Sequence, residues 1–129
     1  GPATSFFFYT DSCPVDFAND KIPWINLKKR AGSCEWLLIQ VDDEGYPLRY
    51  FTLNDDIVTI GRSRGNRIIL KNSSVSRHHG VISYSDNQLR IVDLQSGNGI
   101  FVNNERIEEC LLYHDDNVRL GMLSFRILK

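Results

Sequence analysis

The chain has 129 residues, 42% of them hydrophobic and 24% charged, which is one domain's worth of ordinary globular composition. Fifteen basic residues stand against sixteen acidic ones, for a net charge of −1. That balance excludes a general attraction to nucleic acid or anionic lipid and leaves only local anion sites, and no apolar run approaches the roughly 18–20 residues of a membrane-spanning helix.

Taken in chain order, the sequence divides into an N-terminal extension, 1–33, and a domain, 34–129. Gly1-Pro2 has the form of a proteolytic scar, so the chain reads as a piece of a longer protein. Residues 3–32 show no sustained hydrophobic period. They carry the cluster Phe6-Phe7-Phe8-Tyr9, then Pro14, Pro23 and the basic triplet Lys28-Lys29-Arg30. The aromatics suit a strand, residues 14–20 are the best candidate for a short helix, and the triplet reads as a solvated face. Such an extension lies either on the domain or on another part of the parent protein. The cysteines, Cys13, Cys34 and Cys110, are too few and too scattered for a disulfide framework or a zinc site. They point to a reducing compartment.

From residue 34 the pattern becomes short β-rich runs separated by turn residues. The predicted strands are 35–41, 48–53, 57–61, 67–70, 80–83, 89–93, 99–103, 117–120 and 124–128. Asp42-Asp43-Glu44-Gly45, Asn54-Asp55-Asp56, Ser85-Asp86-Asn87, Ser96-Gly97-Asn98 and Gly121-Met122 serve as turns between them. Ile60, Ile69, Val81, Ile91, Phe101 and Val118 are expected to share one core. Nine or more short strands without crossover helices predict an all-β fold, an antiparallel β-sandwich, since a single sheet of that many strands leaves one face unburied.

Charge is uneven along the domain. Residues 61–79 hold Arg62, Arg64, Arg67, Lys71 and Arg77 with no acidic residue, and add the hydroxyls of Ser63, Ser73, Ser74 and Ser76. Arginine forks and hydroxyls are what a phosphate needs. Ile60-Gly61-Arg62-Ser63 ends one strand, Ser76-Arg77-His78-His79 precedes another, and Gly97-Asn98-Gly99 lies between two more. A sandwich gathers its loops at two ends, so these three can converge on one ligand.

In order and spacing, Gly61-Arg62, Ser76-Arg77-His78-His79, Asn98-Gly99 and Gly121 resemble the forkhead-associated (FHA) domain, a phosphothreonine-peptide binding module. The resemblance covers about residues 35–129 and implies an eleven-stranded, SMAD/FHA-like sandwich that binds through loops at one end. It places Arg62 and Ser76 on the phosphate, Arg77 beside the phosphate or the peptide backbone, and Asn98 on the peptide main chain, with Gly97 and Ser74 also in the phosphopeptide site. Gly61, His79 and Gly99 are implied to be structural. The family's preference for phosphothreonine over phosphoserine implies a small pocket for the extra methyl. Two departures stand out: Gly97 and Ile100 replace threonines common on either side of Asn-Gly, which implies weak, micromolar binding.

The resemblance also implies a partner carrying phosphothreonine, recruited to a larger parent protein that is intracellular and nuclear. It implies no enzymatic activity, cofactor, metal or small-molecule substrate, and no membrane. Ser76 and His79 do not read as a nucleophile and base, because no carboxylate stands at a telling spacing and no nucleophile elbow is present. His78-His79 lacks partners for a metal. Direct nucleic-acid binding is not expected, since residues 61–79 contain no aromatic on which a base could stack. Asn72-Ser73-Ser74 matches a glycosylation acceptor by chance. The other functional reading is an FHA-fold module that contacts partners without phosphate, through a sheet face or through residues 3–32.

Overall fold

The computed structural model describes residues 15–16, 36–53 and 56–129. Twelve strands lie among them: β1 Val15–Asp16, β2 Leu37–Val41, β3 Pro47–Thr52, β4 Ile57–Gly61, β5 Ile68–Ile69, β6 Gly80–Ser85, β7 Gln88–Asp93, β8 Ile100–Val102, β9 Glu105–Ile107, β10 Glu109–Leu112, β11 Asn117–Leu120 and β12 Leu123–Leu128. They form two sheets, in the orders β1-β3-β2-β12-β11-β8-β9 and β10-β7-β6-β4-β5. Side chains from both sheets meet in one core that includes Leu38, Phe51, Ile60, Ile68, Ile82, Ile91, Val118 and Phe125. The expected all-β sandwich is therefore present, with eleven of its strands in the region of the FHA resemblance. No helix among the described residues is long and apolar enough to cross a membrane.

The turns follow from their residues. β6 and β7 are joined by Asp86-Asn87 at φ 54° and 62°, and β8 and β9 by Asn103-Asn104 at φ 52° and 70°. Two consecutive positive φ values make type I′ hairpins, whose twist matches that of the strands. Gly121, at φ 61°, opens the two-residue turn between β11 and β12.

Several local expectations need correction. Within the short helix predicted over 14–20, Val15–Asp16 is a strand paired with Tyr50 and Arg49; the other residues of that segment, like Cys13, Cys34 and the Phe6–Tyr9 cluster, lie outside the described residues. The sandwich is not wholly antiparallel: β4 and β5 run parallel, Ile60 beside Ile68 and Gly61 beside Ile69. A short connection suffices because β5 has two residues and the loop only doubles back along β4. β9 and β10 are additional strands. Each is the edge of its sheet and carries exposed charged residues, as edges do to avoid pairing with other chains. The core phase holds for Ile60, Ile91 and Val118, whereas Ile69, Val81 and Phe101 are only half-buried and turn to the outer faces. Their neighbours Ile68, Ile82, Ile100 and Val102 fill the core instead. Cys110, half-buried on β10, is a free thiol whose pKa is raised by burial and then by the charge of Asp116, which keeps it protonated and unreactive at neutral pH.

Candidate functional site

Four connections meet at one end of the sandwich: 62–67 after β4, 70–79 before β6, 94–99 between β7 and β8, and Gly121-Met122. His79 ties the second and third of them together and anchors them to β4. It is fully buried, its Nδ1 accepts the Ser76 N–H at 3.0 Å, and its Nε2 lies 2.8 Å from the Gly99 carbonyl. A carbonyl only accepts, so Nε2 carries the hydrogen and Nδ1 is bare. The His79 backbone also bonds the Ile60 carbonyl through its N–H and receives the Leu94 N–H at its own carbonyl.

Ser76 and Arg62 sit on this frame. The Arg62 N–H donates to the Ser76 carbonyl at 3.0 Å, and its Nε donates to the Val75 carbonyl at 3.0 Å. Those bonds steer an otherwise exposed guanidinium, and its two Nη groups have no partner among the described residues. Ser76 Oγ accepts the Gly97 N–H at 3.0 Å, and its own hydroxyl hydrogen has no acceptor among the described residues. The Arg77 carbonyl accepts from the Ser63 N–H and from Asn66 Nδ2, at 3.1 and 2.7 Å, while its side chain stays exposed. Gly61 lies under this arrangement: a Cβ there would strike the Arg77 carbonyl and come within 2.7 Å of Asn66 Nδ2.

Asn98 and Ser74 join the remaining loops. Asn98 Nδ2 donates to the Ser74 carbonyl at 2.8 Å, and its Oδ1 has no partner among the described residues. Ser74 Oγ donates to Asn72 Oδ1 at 2.6 Å and accepts the Met122 N–H at 2.8 Å, so its hydroxyl hydrogen is spent within the protein. Gly121 must be glycine, because a Cβ would strike the Ser74 carbonyl. Gly99 has φ 81°, and a Cβ on it would lie 2.7 Å from Arg106 Nε. At Gly97, by contrast, a Cβ would meet nothing nearer than Ser76 Oγ at 3.9 Å. Ile100 does not frame the rim. It is fully buried at the start of β8, against Gly80, so its departure from threonine serves the core.

The structure thus brings Arg62, Ser76, Ser74, Gly97 and Asn98 into one hydrogen-bonded rim, with Arg77 next to Ser76 in the chain. Asn66, Asn72 and Ser96 complete it without having been assigned to the site from the sequence. Ser96, nearly buried, accepts the Gly99 N–H at 3.0 Å and bonds Asp93 through its own N–H at 3.1 Å. Both bonds span three residues, a spacing of polar turn residues that was readable in the sequence. Chemically, the rim offers an arginine fork, a free hydroxyl hydrogen and an amide oxygen. No acidic side chain pairs with Arg62, Arg64, Lys71 or Arg77 among the described residues.

A model of the FHA domain matches residues 58–121. Among curated proteins, the transcriptional regulatory protein EmbR of Mycobacterium tuberculosis is 39% identical over 77 residues, 59% of this chain and 19% of EmbR. EmbR in complex with a low-affinity phosphopeptide superposes with a TM-score of 0.63 at 32% identity, covering 71% of this chain and 24% of that one. A chain solved in a structural and functional analysis of phosphothreonine-dependent FHA domain interactions gives a TM-score of 0.66 at 30% identity, covering 73% of this chain and 95% of that one. The yeast Dun1 FHA domain, bound to a doubly phosphorylated phosphothreonine peptide derived from Rad53, gives 0.61 at 25% identity, covering 74% of each chain. The chain spans about a fifth of the length of EmbR and about half of that of the glycogen accumulation regulator GarA of Mycobacterium tuberculosis.

Proposed function

Because this chain belongs to the FHA domain family, we propose that it binds a phosphothreonine-containing segment of a partner protein and so recruits that partner to a larger parent protein. The observation that supports this reading best is the state of Ser76 and Arg62. Both are held in place by the backbone, yet the Ser76 hydroxyl hydrogen and the Arg62 fork remain unspent on the same rim. In this reading Arg62 forks onto the phosphate, Ser76 donates to it, Arg77 supports it, and Asn98 Oδ1 accepts a peptide N–H. Gly97 contributes through its backbone. Ser74 acts as a staple between loops, since its hydroxyl is committed to Asn72 and Met122. Gly61, His79 and Gly99 set the loop shapes. The module is 34–129, and residues 1–33 extend it.

The reading requires no cofactor and no chemical step. Nor does it select a compartment: the relatives described above come from mycobacteria as well as yeast, and a nuclear parent protein gains no support from them.

The test is one peptide prepared with phosphothreonine, phosphoserine and unmodified threonine, titrated calorimetrically into the chain. The expected order is phosphothreonine over phosphoserine, with no measurable binding of threonine, and micromolar affinity for the first. One buried methyl contributes about 0.8 kcal/mol, roughly a fourfold preference. Equal affinity for all three peptides would replace this reading with phosphate-independent contact.

A further inference from the structure

The outer face of the larger sheet carries a row of side chains that the rim does not use. Arg119 on β11 stands directly opposite Phe101 on β8, and Phe101 directly opposite Arg106 on β9. Ile100 and Val102 fill the core, so Phe101 and both arginines face outward. The Arg119 guanidinium carbon lies over the Phe101 ring, 4.2 Å from its centre, a cation–π contact. Arg106 sits on the other flank, its Nε 2.7 Å from where a Cβ of Gly99 would stand. Both arginines are exposed, and neither side chain has an acidic or hydrogen-bonding partner among the described residues. The smaller sheet differs. Its exposed Arg90 meets Glu109 at 2.8 Å, the cross-strand pairing of opposite charges that stabilises sheets.

Beside the stacked pair lies a hollow of about 220 Å³, lined in part by Val41, Phe101, Asn104, Asn117, Arg119 and Ser124. No lining residue is acidic, and Arg119 is the one charge among them. Asn117 Nδ2 and the Ser124 hydroxyl have no partner among the described residues. Asp42, which follows Val41, spends its carboxylate on the N–H groups of Glu44 and Tyr46, both at 2.9 Å. A guanidinium held on a ring instead of by a carboxylate keeps its N–H groups for an incoming acceptor. With an amide and a hydroxyl beside it, that is a donor set for an oxyanion. The face also continues from the rim. Gly99, under Arg106, follows Asn98, and Phe101 lies about 10 Å along the strand from Asn98. A segment held at Asn98 must clear the rim first, and so reaches the hollow in roughly four to seven residues. We propose that the outer face of β8, β11 and β12 takes a stretch of glutamates or aspartates from the same segment whose phosphothreonine occupies the rim. Arg119 forks one carboxylate over the hollow, and Arg106 supplies positive charge between the hollow and the rim. The choice of partner rests on the phosphothreonine reading above; the carboxylate site stands on the face itself.

Calorimetry on the full chain tests this with one phosphothreonine peptide, extended on either flank by a run of glutamates or of glutamines roughly four to seven residues away. On one flank the glutamate extension is expected to bind several-fold more tightly than its glutamine counterpart. Arg119→Gln should remove that gain and leave the affinity of the unextended peptide unchanged. Arg90→Gln, the same charge change on the other sheet, should keep the gain. A gain absent on both flanks, kept in Arg119→Gln or lost equally in Arg90→Gln would overturn the inference. Nuclear magnetic resonance reads the face without the phosphate. A glutamate peptide that lacks phosphothreonine, added at millimolar concentration, should shift the Arg119 Nε and Phe101 ring signals ahead of those of Arg62. Shifts confined to Arg62 and its loop would also overturn it. That outcome is independent of whether the unextended phosphopeptide binds, so failure of the phosphothreonine reading is seen separately. Phosphoserines that tighten binding where glutamates do not would replace the carboxylate site with a second phosphate site.

Discussion

His79 spends both ring nitrogens on backbone groups of two loops while wholly buried, so its removal strands two polar groups at once. Each stranded group costs about 1–3 kcal/mol. His79→Ala is therefore expected to lower stability by about 2–6 kcal/mol in urea denaturation and to abolish phosphopeptide binding; a loss below about 1 kcal/mol would mean the loops are held otherwise. Arg62 should give the opposite signature. Its side chain makes one internal bond, to the Val75 carbonyl, so Arg62→Ala should cost no more than about 1.5 kcal/mol of stability. Losing the charged partner of a buried phosphate costs at least about 2 kcal/mol, which is roughly a 30-fold or greater loss of affinity. Wild-type affinity by calorimetry in that variant would remove Arg62 from the site. Gly97 tests the weakness expected of this rim. Its backbone already holds Ser76 Oγ, its φ is not positive, and a Cβ has room. Gly97→Thr should restrict the free loop by about 0.4–1 kcal/mol and tighten binding about two- to fivefold. An unchanged affinity would show that the loop is ordered before the ligand arrives.

Strand phase is the claim that belongs to the elements, and paired truncations can check it. Ile91 on β7 is fully buried in the core, while Val81, paired with Val92 on the outer face of β6, is half-buried. Ile91→Ala is expected to cost about 2–4 kcal/mol and Val81→Ala less than about 1 kcal/mol; similar losses in denaturant titrations would put β6 in the wrong phase. That phase was not legible in the sequence, because Ile68-Ile69, Val81-Ile82 and Ile100-Phe101-Val102 are apolar on both sides and carry no alternation to read. β7 was legible, since Leu89 and Ile91 alternate with Arg90. The hairpins were legible too, because Asp86-Asn87, Asn103-Asn104 and Gly121 are residues that accept positive φ. β9 and β10 were hidden by the charges that protect them as edges, and β1 because it pairs with β3, more than thirty residues away in sequence. In the candidate site, glycine, serine, histidine and asparagine stood out by spacing. Asn66 and Asn72 did not, since a side chain that braces a loop from within has the same composition as one facing water.

At the scale of the whole molecule, near-neutrality conceals a local basic patch. Arg62, Arg64, Lys71 and Arg77 lie on the connections that form the rim. Asp86, Asp115 and Asp116 lie on the turns at the other end, where Asn103 Nδ2 bonds Asp116 Oδ1 at 3.0 Å, while the acidic β2–β3 turn Asp42-Asp43-Glu44 is at the rim's own end, since Val41 pairs with Ser124 beside Gly121-Met122. An anionic peptide is therefore drawn to the basic loops in particular, and steering of that kind acts mainly on the rate of encounter. Charges of the rim that do not touch the phosphate act through solvent, where the screening length falls from about 10 Å at 0.1 M salt to about 3 Å at 1 M. The Arg62 fork, once closed on the phosphate, is screened far less. Stopped-flow measurements from low to high salt should therefore show the association rate falling several-fold while the dissociation rate changes little. Arg64→Gln, which alters a rim charge without a partner among the described residues, should flatten that salt dependence and leave dissociation alone. A salt effect concentrated in dissociation would mean that Arg64 and its neighbours grip the peptide directly, and that the phosphate-binding surface extends along the whole 62–67 loop.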